Sequence, residues 1–369
     1  MSEPILQASD LVRHFRVGGG LLSKAVTVRA VDGVSLDIRR GETFAIVGES
    51  GCGKSTLARL LMRLLSPTSG SIRFEGKEIS ELGGRPLRDL RRDMQFIFQD
   101  PFSSLNPRMS VGRIVGEPLE THEPDLDAAG RRARVAELLR LVGLRAEHTV
   151  RYPHEFSGGQ RQRIGIARAL ASGPKLLIGD EPVSALDMSV QAQVVNLLED
   201  LKRDLDLTLV VIAHDLAVIR HMSDRVAVMY LGQIVESGPT DTVFSQARHP
   251  YTLALLSAIP EPEHGRTRTR IALSGEPPSP SDPPPGCRFH TRCAFARDEC
   301  RVRSPELRAA RDGHLVACHF WQDIAAAGEG FTPDPVAPHR PNVERRFDLY
   351  RAASLNRKTT PKAAQNTSP

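Results

Sequence analysis

The sequence predicts an α/β fold in which helices cover both faces of a mostly parallel sheet. Three short runs are apolar, apart from Thr43, and have the length of buried strands: Thr43–Val47, Leu176–Ile178 and Leu209–Ala213. Segments with apolar residues at helical spacing alternate with these runs, for example between Val190 and Leu201. This alternation indicates a parallel sheet, because two parallel strands need a long crossover between them and a helix usually supplies it.

The composition indicates a globular chain that does not cross a membrane. Of the 369 residues, 40% are hydrophobic and 25% are charged, which is ordinary for globular domains. The longest apolar runs, such as Val226–Leu231, are far shorter than the roughly 20 residues that a spanning helix needs. Met1–Pro4 has neither the basic start nor the apolar core of a signal peptide. We therefore expect neither a membrane-spanning nor a secreted protein.

The net charge of +5 is concentrated at the C-terminus. From Gly330 to Pro369 there are seven Lys and Arg against three Asp and Glu, which leaves 42 basic and 41 acidic residues elsewhere. Such a basic, aperiodic end is typical of a solvated, unfolded tail, which we place at 328–369. The charge gives no indication of a nucleic-acid partner.

A phosphate-binding loop follows the first predicted strand. Gly48–Ser55 fits the pattern G-x-x-x-x-G-K-[ST], and a predicted helix, Ser55–Leu65, follows it until Pro67. Glycines let backbone N–H groups approach a phosphate, Lys54 can reach its β- and γ-phosphates, and the Ser55 hydroxyl can ligate Mg²⁺. The candidate ATP-binding residues here are Gly48, Glu49, Ser50, Gly51, Cys52, Gly53, Lys54, Ser55 and Thr56.

Two carboxylates follow the buried strand at Leu176–Ile178. Asp180 and Glu181 stand where open parallel sheets bind ligands, at the carboxyl end of a strand. Asp180 is the candidate Mg²⁺ ligand, and Glu181 is the candidate catalytic base that polarises the attacking water.

A second candidate anion site begins a predicted helix at Ile164–Leu170. Ser157, Gly158, Gly159 and Gln160 offer a hydroxyl, backbone N–H groups and the positive end of a helix dipole. Taken alone, the same residues also fit an ordinary capped helix.

The order of these motifs resembles that in the nucleotide-binding subunit of ABC transporters, over about residues 5–248. Along the chain the motifs are the phosphate loop, Gln99, Ser157–Gln160, Asp180–Glu181, Ser184–Asp187 and His214. The resemblance implies a P-loop ABC ATPase core at 1–248 with ATP and Mg²⁺ as cofactors. That core would have a mostly parallel sheet, an antiparallel β subdomain and a helical subdomain at about 100–170.

The resemblance also implies a role for each motif. Two such chains sandwich two ATP molecules, so that Ser157–Gln160 acts on the ATP of the partner subunit. Gln99 would ligate Mg²⁺ and connect it to the membrane subunits, and Ser184–Asp187 would contact the partner. His214 would hold the γ-phosphate and the water, or else cap the helix after it. Phe15 would stack on adenine, or else belong to the core.

Two residues depart from the usual family pattern. Phe156 stands where many relatives have Leu, and Gly179 replaces a bulky residue before Asp180. We expect the glycine to loosen the strand packing slightly, and neither change removes a functional group.

Further phrases narrow the resemblance to the ATPase subunits of dipeptide and oligopeptide importers. They are Phe98–Pro101, Ser104–Pro107, Asp180–Asp187, His249–Thr252 and Ser274–Cys287, the last belonging to a C-terminal extension at 249–327. Gly51–Gly53 and Arg151–His154 resemble the F-type subunit of the dipeptide permease, which pairs with a related D-type ATPase. Implied partners are that second ATPase, two membrane permease subunits and, indirectly, a substrate-binding protein. The implied location is peripheral, on the cytoplasmic face of the inner membrane.

The extension contains four of the five cysteines, after a stiff segment with six prolines in nine residues. The spacing Cys287-x₅-Cys293-x₆-Cys300-x₁₇-Cys318 contains no C-x-x-C pair and so suits a [4Fe–4S] cluster better than zinc. Some members of the importer family carry such a cluster on a matching cysteine set. Zinc, with His290 or His319 as a substitute ligand, and cysteines without any metal remain alternatives.

The favoured function is an ATPase that drives uptake of dipeptides or oligopeptides. The same engine could import nickel or glutathione. A soluble ABC ATPase acting on nucleic acid or ribosomes is the rival from another class. It is disfavoured because the 57 residues between Gln99 and Ser157 leave no room for a long coiled coil. A non-hydrolysing regulatory subunit is disfavoured because every catalytic residue is present.

Overall fold

A computed structural model describes residues 3–18, 25–184, 186–259, 273, 275–311 and 313–327. The predicted tail at 328–369 and Ala185 of the predicted partner-contact loop lie outside the described residues. In the described part of the chain, no helix has the length and apolarity needed to cross a bilayer.

Over the residues that the structure describes, twelve strands form two sheets. They are β1 (Pro4–Val17), β2 (Val26–Arg39), β3 (Thr43–Val47), β4 (Ser69–Phe74), β5 (Lys77–Glu78), β6 (Met94–Ile97), β7 (Leu176–Asp180), β8 (Thr208–Ala213), β9 (Arg225–Tyr230), β10 (Gln233–Pro239), β11 (Arg308–Arg311) and β12 (His314–Val316).

Eleven α-helices lie in the remaining described chain. They are α1 (Lys54–Leu61), α2 (Gly84–Asp93), α3 (Val111–His122), α4 (Ala128–Leu141), α5 (Gly158–Leu170), α6 (Met188–Leu205), α7 (Leu216–Met222), α8 (Thr240–Ser245), α9 (Pro250–Ser257), α10 (Asp298–Val302) and α11 (Trp321–Ala327).

The larger sheet has the strand order β11-β12-β10-β9-β3-β8-β7-β6, and its strands from β9 to β6 are parallel. Every residue of β3, β7 and β8 is buried, because helices and loops cover both faces of this sheet. Two hydrophobic clusters lie on its two sides, one around Val47 and Val211 and the other around Ile46 and Val210. The predicted α/β class with a mostly parallel sheet is therefore confirmed.

The smaller sheet is antiparallel, with the order β2-β1-β4-β5. It packs against the phosphate-loop side of the core, since Ile5, Val31 and Leu57 belong to one hydrophobic cluster. Helices α3, α4 and α5 pack together within the range predicted for the helical subdomain. Both secondary features of the predicted fold are thus present.

Helix α1 ends earlier than the sequence predicts. It stops at Leu61 instead of Leu65, and Leu64, within the predicted helix, is 39% exposed. The reason is Arg63, which has a left-handed backbone (φ 50°) and donates from its guanidinium to the carbonyl oxygens of Ile79 and Leu82 at 2.8 and 3.0 Å. The chain turns there to make these contacts, well before Pro67.

The C-terminal extension continues the large sheet. Strand β12 pairs with β10 through Glu236 and Ser237, and β11 pairs with β12. The described proline segment, 275–286, contains no helix or strand, as expected of an extended connector. The extension is therefore built onto the edge of the ATPase sheet.

Candidate active site

Four neighbouring strands of the large sheet, β3, β8, β7 and β6, end at one edge. The phosphate loop follows β3, His214 follows β8, Asp180 and Glu181 come at the end of β7, and Gln99 follows β6. Carboxyl ends of parallel strands meet at the same edge, so the sheet itself brings these side chains together.

Glycines shape the phosphate loop by allowing close backbone contacts. A Cβ on Gly48 (φ 151°) would lie 2.2 Å from the Met229 carbonyl oxygen, and one on Gly53 (φ 107°) would lie 2.0 Å from that of Ala30. Gly51 (φ 79°) has nothing within 4 Å of its Cβ position. The loop is thus pressed against β9 and β2 on one side and open on the other, which fits a phosphate cradle.

Lys54 begins helix α1 and turns its side chain into the loop. Its ammonium Nζ donates to the carbonyl oxygens of Gly48 at 2.7 Å and Glu49 at 2.9 Å. The amine is therefore held inside the cradle, beside the helix N-terminus, and both features favour an anion.

Two residues of the loop face away from a phosphate. The Glu49 backbone N–H donates to the Tyr251 hydroxyl at 2.8 Å, so this donor is occupied by protein and does not serve the cradle as expected. Cys52 is 4% exposed and belongs to the core beneath the loop, where burial raises the pKa of its thiol. Its position agrees with a small residue tolerated in the loop.

Ser55 and Asp180 form the predicted Mg²⁺ pair. The Ser55 hydroxyl donates to Asp180 Oδ1 at 2.8 Å. Burial raises the pKa of the Asp180 carboxyl, and the Ser55 hydrogen bond opposes this shift. A hydroxyl beside a carboxylate is the oxygen donor set that Mg²⁺ prefers, so these residues fit the ion.

The Glu181 carboxylate lies close to both Gln99 and His214. Its Oε2 accepts from Gln99 Nε2 at 3.0 Å and lies 3.4 Å from His214 Nδ1. Glu181 also has a left-handed backbone (φ 47°), which is strained for a non-glycine residue. Its backbone N–H donates to the Ile212 carbonyl at 3.0 Å and so fixes this conformation. Gln99 contacts the carboxylate of the candidate base in this arrangement.

A pocket of about 220 Å³ opens over these groups. Its lining comprises Val28, Ala30, Ser50, Gly51, Gly53, Lys54, Ser55, Thr56, Gln99, Glu181 and Pro280. Val28, Ala30 and Pro280 escaped the sequence analysis, because apolar and proline residues carry no signal of a phosphate site. Pro280 belongs to the C-terminal extension, which therefore reaches the pocket.

The second candidate anion site, Ser157–Gln160, lies away from this pocket, and we call its four residues the signature residues. Ser157 caps helix α5 by accepting from the Gln160 backbone N–H at 3.3 Å, and Gln160 Oε1 accepts from the Ser157 N–H at 3.1 Å. A Cβ on Gly159 would lie 2.3 Å from Val190 Cγ1, so this glycine permits close packing of α5 on α6. Ser157 and Gln160 are exposed, and Gly158 is half-buried.

Phe15 is half-buried on β1, and the Arg13 guanidinium lies 4.6 Å from its ring centroid. Like the signature residues, it does not line the phosphate-loop pocket. Its predicted contact with adenine stays a prediction.

The two departures from the family pattern are accommodated by neighbouring side chains. Phe156 is 4% exposed and packs against the His148 ring at 5.2 Å. A Cβ on Gly179 would lie 3.0 Å from the Pro182 ring. Pro182 thus occupies the space that a larger residue would fill, and the expected loosening of the strand is not seen.

The four cysteines of the extension line one small cavity of about 20 Å³. All are free thiols, so no disulfide joins them. Burial raises the pKa of Cys287, and it raises that of Cys293 to about 11 and that of Cys318 to about 12. Among the described residues, no three His, Cys, Asp or Glu side chains are arranged to hold a metal ion. The expectation of a metal here is therefore not supported, although an all-sulfur donor set matches an iron–sulfur cluster chemically.

Comparison with known families gives two matches. Residues 31–184 match the ABC transporter family, and residues 235–300 match the family described as "Oligopeptide/dipeptide transporter, C-terminal region". The second match begins in β10 and includes three of the four extension cysteines.

Similar proteins match most of the chain. The probable peptide ABC transporter ATP-binding protein y4tS of Sinorhizobium fredii is 52% identical over 89% of this chain and 93% of its own. The oligopeptide transport ATP-binding protein AppF of Bacillus subtilis is 51% identical over 86% of this chain and 98% of its own. The dipeptide transport ATP-binding protein DppF of Escherichia coli is 49% identical over 86% and 95%.

Solved structures agree with these matches. The dimeric ATP-binding cassette MJ0796, in a post-hydrolysis state bound to ADP and Pi, has a TM-score of 0.58 and 29% identity over 64% of this chain and 98% of its own. CbiO1 from Clostridium perfringens has a TM-score of 0.57 and 30% identity over 66% and 92%. The chain therefore belongs to the ATPases of the ABC transporter family, in the group that carries the oligopeptide/dipeptide transporter C-terminal region.

Proposed function

We propose that this chain is the ATP-hydrolysing subunit of a membrane importer for dipeptides or oligopeptides. The observation that supports this most is the cluster at the sheet edge, where one Glu181 oxygen lies within 3.4 Å of both Gln99 and His214. It lies on the same edge as the Lys54 cradle and the Ser55–Asp180 pair. The relatives named as dipeptide and oligopeptide transport proteins supply the substrate class.

In the proposed reaction, Lys54 binds the β- and γ-phosphates, and Ser55 and Asp180 hold Mg²⁺. The ion supplies charge neutralisation between the phosphates when it is bound. Glu181 accepts a hydrogen bond from the attacking water and orients it, while His214 donates to the γ-phosphate. Preorganised donors of this kind typically contribute ~3–4 kcal/mol of transition-state stabilisation each.

The active unit in this proposal is a pair of ATPases. Ser157 is exposed at the start of α5, so a partner's nucleotide can reach its hydroxyl. The dimeric form of the cassette MJ0796 supports such an assembly. We assign the second position to a related D-type ATPase, and Ser184 and Asp187 to contacts with it. Two membrane permease subunits, which this chain would contact from the cytoplasmic face of the inner membrane, and a substrate-binding protein complete the importer.

Uptake of a labelled panel of dipeptides, longer peptides and nickel tests this function in the native host. Replacing the chromosomal copy with Lys54→Ala should abolish uptake of one peptide class, while Lys77→Ala, an exposed lysine on β5, should leave it intact. Loss of nickel uptake alone would mean that this ATPase drives nickel import and not peptide import. Unchanged uptake of the whole panel would contradict the proposal.

For the cysteines we propose a [4Fe–4S] cluster and not zinc. The proposal is supported by the all-sulfur donor set, since four free thiols line one cavity. The cluster would have to displace side chains that now fill the space between the thiols. Full-length protein purified without oxygen should contain about four irons and four sulfides per chain. Cys293→Ser should lose them and Cys52→Ser should keep them, whereas zinc, or no metal, in the parent protein would overturn the proposal.

A further inference from the structure

The cysteine-containing extension reaches the phosphate loop through one buried ion pair. The two terminal guanidinium nitrogens of Arg292 donate to the Glu49 carboxylate, Nη1 to Oε2 at 2.6 Å and Nη2 to Oε1 at 3.0 Å. The Arg292 side chain is 4% exposed and that of Glu49 is 25% exposed. Such a two-pronged pair fixes both direction and distance.

Two tyrosines hold the pair in place. Tyr230 at the end of β9 accepts from Arg292 Nη1 at 3.4 Å, and the Tyr251 hydroxyl accepts the Glu49 backbone N–H at 2.8 Å. Their rings pack at 4.7 Å, and Phe289 of the extension packs on both, at 5.3 and 5.4 Å. The side chain and the backbone of Glu49 are thus both held from the side of the extension.

The extension has two more contacts near the same site. Arg288 donates to the Asp32 carboxylate and to the Leu231 carbonyl. The Pro280 carbonyl accepts the Arg29 N–H at 2.9 Å, where Pro280 lines the nucleotide pocket. The extension therefore contacts the phosphate loop, strand β2 and the β9–β10 turn at the same time.

We propose that Arg292 is a positioning residue for ATP binding: it orients the phosphate loop and neutralises Glu49. The inference rests on the proposed function, because it assigns the ATP to this loop. Without Arg292, a carboxylate would remain unpaired in a loop that must accept the negative phosphates of ATP, and like charges repel. The extension would then serve the catalytic domain as well as its own fold.

The sign of the effect separates this role from simple structural support. Arg292→Gln leaves the Glu49 charge unpaired and should weaken Mg²⁺-ATP binding about tenfold, the effect of losing one charged hydrogen-bonded contact. Glu49→Gln removes the repelling charge and should change the affinity by less than about threefold. The double variant should recover most of the loss, which a merely weakened fold would not do.

Calorimetric titration of Mg²⁺-ATP into the purified full-length chain measures these affinities, with Tm recorded for each variant. Arg301→Gln is the matched control, since Arg301 lies in the same extension but is 69% exposed. If Arg292→Gln fails to fold, Arg292→Lys, which keeps the charge without the fork, should bind ATP a few-fold more weakly. In ATPase assays the KM for ATP should rise while kcat stays near that of the parent.

The possible outcomes are distinct. No ATP binding by the parent chain, or parent-like binding by Lys54→Ala, would refute the assignment of this site. Normal binding by the parent together with an Arg292→Gln dissociation constant within twofold of it would overturn the inference alone. So would a double variant that binds no better than Arg292→Gln.

Discussion

The nucleotide edge of the large sheet and the C-terminal extension differ in how far their polar side chains are exposed. At the nucleotide edge, Glu181 lines an open pocket and its side chain is 17% exposed, and the neighbouring His214 side chain is 58% exposed. In the extension, the cysteines close around a cavity of about 20 Å³, and burial raises the pKa of the Cys293 and Cys318 thiols. One region is arranged around the space for a ligand, and the other has filled that space with its own atoms.

The difference comes from what positions each group. Functional residues of the nucleotide edge follow adjacent buried strands, so the sheet determines their spacing. The cysteines come from loops and a short helix, α10, and their backbone has no such frame. A motif on a strand end thus predicts geometry, whereas a set of spaced cysteines predicts proximity alone.

The largest expected effect tests the nucleotide edge, where functional side chains line an open pocket. Glu181→Gln keeps the shape of the side chain and its contacts but removes the base, so hydrolysis should slow at least about a hundredfold while ATP still binds. Turnover in the assembled importer and ATP affinity of the purified chain measure the two quantities. Glu137→Gln, on the exposed face of α4, is the control and should behave as the parent. Near-normal turnover in Glu181→Gln would move the base elsewhere.

The next effect tests how tightly the phosphate loop is built. A Cβ on Gly53 would meet the Ala30 carbonyl at 2.0 Å, so Gly53→Ala should lower the free energy of unfolding by about 2–3 kcal/mol. Gly51→Ala has the same change of side chain without a clash, and should cost about 1 kcal/mol for its left-handed backbone alone. Urea denaturation without nucleotide compares the two. Equal losses would mean that the close approach of β2 does not matter.

The smallest expected effect tests the region around the cysteine cavity, where the side chains are buried. His249 is buried beside the cysteine cavity, and burial lowers its pKa from 6.5 to about 3. The unfolded chain therefore binds a proton that the folded chain refuses, so stability falls as the pH drops from 6.5 towards 3. Between pH 6.5 and pH 5 this histidine should account for a loss of about 2 kcal/mol.

His249→Asn should remove that part of the pH dependence. Asparagine can still accept the Tyr251 backbone N–H that His249 Nδ1 accepts at 3.1 Å, so the cap of α9 survives. Urea denaturation at the two pH values measures the change. If His249→Asn loses as much stability as the parent between pH 6.5 and pH 5, then the protonation of His249 does not cause that loss.

Sequence patterns anticipated the sheet and most of the nucleotide edge. The strand β3 was expected at Thr43–Val47 and is found there, and the motif order placed Gln99, Glu181 and His214 together. The phosphate loop could be identified because a local pattern of glycines and a lysine determines its shape.

Contacts between distant segments could not be anticipated. Arg292 and Glu49 are 243 residues apart, and neither the arginine nor Tyr251 stands in a pattern that indicates a partner. The early end of α1 was missed for the same reason, because the carbonyls that bind Arg63 belong to loop residues further along the chain. Such contacts depend on how packed elements meet, which periodicity does not record.

The pairing of β12 with β10 has a consequence for any shortened form of this protein. Without the extension, β10 would become an outer strand, and its N–H and C=O groups would be free to pair with another molecule. Its residues from Ile234 to Gly238 are buried in the full chain, and two of them, Ile234 and Val235, have large apolar side chains. Chains cut after residue 259 should therefore stick to one another even with an intact ATP site. The extension protects solubility as well as shape.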